Sequence, residues 1–202
     1  DFIIYECDDV NRDIWRVYEK SGLDIRELGL SQAEKHLTMP SRLLNAAQER
    51  DIIINLPAGA HKVMGEWFKL AKVKKQADEL GISMYLWYVC DGDKTNLRLF
   101  EDSCQSVPIE HIFVKNMVRY DEEEWEQALA ELRNQGIEID LGKVPVVLME
   151  KLAYREAKAL SQNYLSFEAM RTYEDQEIQI VERNLVRFFL EDCLEELDKV
   201  IL

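Results

Sequence analysis

The sequence predicts an α/β fold, an open and mainly parallel sheet flanked by helices in three layers, finished by a helical C-terminal end. Three observations predict it. Short apolar runs recur that are too continuous for half-exposed strands, and longer amphipathic stretches separate them, the pattern of parallel strands covered on both faces. After Glu150 the character changes to helix only. At 47% hydrophobic and 9% aromatic, the 202 residues can bury a real core, which excludes disorder.

Taken in order, strands are expected over Phe2–Cys7, Asp51–Leu56, Ile82–Cys90, His111–Met117 and Val144–Met149. Helices are expected over Asn11–Lys20, Gln32–Arg50, Ala60–Leu80, Lys94–Gln105 and Glu122–Gln135. Gly81 stands where a helix C-terminus needs a left-handed residue, and Asp121 caps the acid-rich start Glu122-Glu123-Glu124. Pro57 and Pro145 fall at tolerated strand ends. Beyond them, Lys151–Leu160, Ser166–Thr172 and Tyr173–Leu202 read as helices. The last carries Ile178, Val181, Leu185, Phe188, Phe189 and Leu194 at three- and four-residue steps, a stripe for its own domain or for another copy. With no repeat and no linker, residues 1–202 are expected to form a single domain with 151–202 as a helical extension. The chain opens at Asp1 directly in an apolar run, and the expectation is that a preceding segment belongs to the protein.

Charge narrows the partners. With 39 acids against 25 bases the net charge is −14, and the longest basic stretch, Lys72-Val73-Lys74-Lys75, reads as a solvated helix face. Weak or no non-specific DNA binding is expected. No apolar run approaches the ~18–20 residues of a membrane helix and no charged-then-apolar leader opens the chain, so the expected location is cytoplasmic, with no membrane contact. Cys7, Cys90, Cys104 and Cys193 lie far apart and read as buried free thiols.

In open parallel sheets ligands bind beyond the C-terminal strand ends. There the first strand gives Glu6-Cys7-Asp8-Asp9-Val10-Asn11, two carboxylates able to orient a metal-bound water, or Asp9 or Asn11 as a helix cap. The second gives Asn55-Leu56-Pro57-Ala58-Gly59-Ala60, a small-residue turn that could bring backbone N–H groups to an anion or simply join strand to helix. The third gives Cys90-Asp91-Gly92-Asp93. The fourth gives Lys115-Asn116-Met117, where the amide could pair with a purine edge or bond its own loop.

This ordered set, with Val144-Pro145-Val146-Val147-Leu148-Met149, resembles the ParA/MinD branch of P-loop ATPases over most of residues 2–160, and most of all its plasmid mobilization and stability members. The resemblance implies ATP and Mg²⁺ as cofactors and Asp8 and Asp9 as the catalytic carboxylates that help position an attacking water. It implies that Asn55, Pro57 and Gly59 form the metal-side strand and switch turn, Asn55 reaching the metal only through water. It implies that Asn116 reads the adenine, and that the segment after Leu148, beginning with Met149, closes over the base. A homodimer formed on ATP binding and a protein partner in plasmid partition, stability or transfer are implied as well.

Two departures stand against it. No G-x-x-x-x-G-K-[ST] occurs in residues 1–202, so this stretch alone should not hydrolyse ATP. The family usually has Asp where this chain has Asn55, and a neutral amide cannot offset a metal's charge. The other reading of the chain is a non-catalytic α/β interaction module. His61, two residues beyond Gly59, reads as a surface helix residue.

Overall fold

Clusters of β-branched and aromatic residues without helical period become strands. In the computed structural model, which describes residues 1–30 and 38–200, these are β1 (Phe2–Glu6), β2 (Asp24–Glu27), β3 (Asp51–Asn55), β4 (Tyr85–Cys90), β5 (Glu110–Asn116) and β6 (Val146–Met149). They pair in parallel as two sheets of three, in the orders β2-β1-β3 and β4-β5-β6. The fold is therefore parallel α/β, as expected. The pairing groups the strands by threes where one open sheet was expected, because pairing is a non-local choice that a run's composition does not carry.

The chain divides into two compact units, Asp1–Met84 with Asp102–Ile109, and Tyr85–Glu101 with Glu110–Leu202. The first contains α1 (Asp13–Tyr18), α2 (Thr38–Ala47), α3 (His61–Leu70) and α4 (Val73–Leu80). Residues 31–37, the start of the helix expected over Gln32–Arg50, lie outside the described residues. The helix expected over Ala60–Leu80 is broken into α3 and α4, with Lys72 between them at φ 52°. Gly81 ends α4 at φ 70°, the left-handed closure expected of it. Lys72, Lys74 and Lys75 are solvent-exposed, and Lys74 and Lys75 pair with Asp78 and Glu79 one turn on.

In the second unit helices lie on both faces of the sheet. On one face Cys90 and Phe113 pack with Leu97 and Phe100 of α5 (Lys94–Ser106) and Trp125, Ala128 and Leu132 of α6 (Glu122–Asn134). The Asp121 carboxylate accepts the Glu124 N–H while Glu124 accepts the Asp121 N–H, the full capping box. On the other face Ile112, Val114 and Val147 meet Leu197 and Val200 at the end of α9 (Ile180–Asp198). The upper part of α9 packs on α7 (Tyr154–Asn163) and α8 (Phe167–Met170), with Phe189 stacked on Phe167. Of the expected stripe, Ile178 and Phe189 pack within this unit, whereas Val181, Leu185, Phe188 and Leu194 remain exposed, as does Ile180; α9 packs instead through Val186 and Leu197.

One buried group in this helical end has no evident purpose. Glu156 of α7 is 2% exposed, and its Oε2 has no hydrogen-bond partner among the described residues. A buried carboxylate with an oxygen left without a partner is costly, so Glu156→Met is expected to stabilise the protein by about 1–3 kcal/mol. Urea unfolding checks this, and a lower midpoint in the variant would show that the carboxylate is needed.

Candidate functional site

Because all strands of a sheet run the same way, their C-terminal ends share one edge, where the polar residues named from the sequence collect. In the first unit the edge is organised by a residue the sequence reading passed over. Glu6, the last residue of β1, is 3% exposed. Its Oε1 accepts the Asp8 N–H at 3.0 Å and the Asn55 amide at 2.8 Å, and its Oε2 accepts the Ile14 N–H at 3.2 Å. Parallel register sets Glu6 opposite Asn55, the Cys7 N–H donates to the Asn55 carbonyl, and the Leu28 N–H donates to the Glu6 carbonyl. One carboxylate therefore ties together the loop after β1, the first turn of α1 and the end of β3. The signal that could have found it is an acid inside an otherwise apolar strand, which needs internal donors.

Asp8 and Asn55 are brought together through Glu6, but Asp8 is already engaged in its own turn. Its Oδ1 accepts the Val10 and Asn11 N–H groups at 3.0 and 2.9 Å, and its Oδ2 accepts the Asn11 amide at 3.3 Å. The Asn11 N–H, aided by the Val10 N–H and the Asn11 side chain, holds the Asp8 carboxyl below its ordinary range against the opposing effect of desolvation. Neither Asp9 nor Asn11 caps α1; the cap position is Arg12, at φ 37°. Asp9 is exposed, with one carboxylate oxygen 3.7 Å from where a Cβ on Gly29 would sit. Since Asp8 has a depressed folded-state pKa, its contribution to stability is complete above the unfolded value of about 3.9 and is lost as pH falls through the folded one. Asp8→Asn keeps an acceptor for the turn and removes the titration, so it should flatten the loss of thermal stability between pH 5 and 3; the check is a series of melts across that range.

Pro57 and Gly59 form the expected turn into α3, with the Ala60 N–H on the Pro57 carbonyl and Gly59 at φ 77°. No side chain caps α3. His61 is buried, not on the surface, because it begins the inward face that continues through Met64, Trp67 and Phe68.

The second unit presents a separate set. Asp91 Oδ1 accepts the Asn96 amide at 2.8 Å, and its Oδ2 lies 3.1 Å from Arg119 Nε. Lys115 Nζ meets both oxygens of Glu122 at 2.6 and 2.7 Å and stands 5.3 Å from the centroid of the Trp125 ring. Asn116 is in register with Met149, and the Met117 N–H donates to the Met149 carbonyl. Asn116 Oδ1 accepts the Val118 N–H at 3.1 Å, so the loop-bonding role holds, and pairing with a purine would draw on the amide N–H groups and the second lone pair.

Tested against a divalent cation, these donors do not make a first coordination sphere. The Glu6 and Asp8 carboxylates each accept three hydrogen bonds, and Asn55 spends its amide N–H on Glu6, leaving Oδ1 as the group able to face a metal-bound water. Among the described residues no group of three His, Cys, Asp or Glu is placed to hold a metal. The four thiols are free; burial pushes Cys7 up to about 12, with the Glu6 charge adding, and burial pushes Cys90 to about 11. Cys104 is exposed and Cys193 half-buried, so the expectation of four buried thiols holds only for Cys7 and Cys90. No helix among the described residues is long and apolar enough to cross a membrane.

What fold and site define is a class: parallel α/β units with polar side chains gathered at the C-terminal strand ends. Comparison with family models, curated proteins and solved structures finds no match for the chain.

Proposed function

We propose that the chain is part of a ParA/MinD-like ATP-binding switch, which dimerises on the nucleotide and thereby changes its contacts with a protein partner in plasmid partition, stability or conjugative mobilization, in the cytoplasm. The observation that carries this reading is the collection of Asp8, Asp9, Asn55, Pro57 and Gly59 at one sheet's C-terminal edge and of Asn116 and Met149 in register at the other's. Parallel α/β proteins bind ligands at such edges. In this reading the phosphate-binding loop and the direct ligands to Mg²⁺ come from outside residues 1–202, Asn55 orients a water, and Asn116 contacts the adenine. Calorimetric titration of ATP and ADP into a polypeptide extended upstream of Asp1 is expected to show saturable binding; finding none overturns the reading.

A second reading, a non-catalytic interaction module, is favoured by one specific observation. The carboxylates of Glu6 and Asp8 are consumed by internal hydrogen bonds. In either reading direct DNA binding is weak at net −14, and a sub-micromolar, steeply salt-dependent gel shift would show otherwise.

A further inference from the structure

No further inference is drawn: the strongest candidate, the exposed apolar surface patch of Ile180, Val181, Leu185 and Phe188 on the first half of α9, carries nothing because nothing in the structure shows what covers it.

Discussion

Glu6→Ala is expected to lose about 2–4 kcal/mol of unfolding free energy, because it strands three donors that now share one charged acceptor. The donors belong to three segments, Asp8 in the loop, Ile14 in α1 and Asn55 on β3, so the loss should not stay local. Denaturant unfolding measures the total, and amide exchange at Asp8 and Ile14 locates it. Glu6→Gln keeps one accepting oxygen but turns an NH₂ group toward the donors, and it should fall between parent and Ala. If Glu6→Ala unfolds at the parent's midpoint, water replaces the carboxylate, and Glu6 does not organise this edge. The consequence for function follows from geometry: with Glu6 gone, Asn55 Oδ1 is no longer oriented. Any nucleotide or partner that depends on Asn55 should then weaken in Glu6→Ala and in Asn55→Ala alike, and the double variant should lose little more.

Much of the architecture was legible because burial on both faces leaves a mark in one dimension. Ile112-Phe113-Val114 has no polar side and is buried on both faces, whereas Ile52-Ile53-Ile54, which reads the same way, leaves Ile53 54% exposed. β2 escaped notice for the opposite reason. Asp24-Ile25-Arg26-Glu27 is a short charged edge, whose sequence is indistinguishable from a loop until its partner β1 is known. The break between α3 and α4 has no Gly or Pro to announce it; it rests on Lys72 adopting a left-handed backbone at φ 52°. At the site, the acidic loop after β1 was visible, but the division of labour within it was not. Asp8 stood out because it is exposed-looking and doubled by Asp9, yet it is occupied with its own turn. Glu6, read as the end of a strand, is the group that reaches across to Asn55, and only the register of β1 against β3 reveals that.

Gly92→Val is the second large effect expected, and it separates conformational strain from crowding at the end of β4. Gly92 sits at φ 86°, where a β-branched residue is a genuine outlier. A Cβ placed there would also lie 2.6 Å from Tyr120 Cδ2 and 3.0 Å from Trp125 Cε2, and Trp125 is fully buried. The backbone cost of about 1–2 kcal/mol and an overpacking cost of about 1–3 kcal/mol together predict a loss of about 2–5 kcal/mol. Gly136 is the control, since it has φ 80° in the same unit with no atom within 4 Å of where a Cβ would sit, so Gly136→Ala should lose only the backbone share. Movement of Trp125 would carry further than the turn. Its ring underlies Lys115, which holds Glu122 at the start of α6, and Asn116 follows next on the strand. The near-ultraviolet circular dichroism of Gly92→Val should therefore change in the tryptophan region, while that of Gly136→Ala stays as in the parent. Equal losses in the two variants would mean that Tyr120 swings aside without cost, and that the Asp91-Gly92-Asp93 turn is kept by its backbone angle alone.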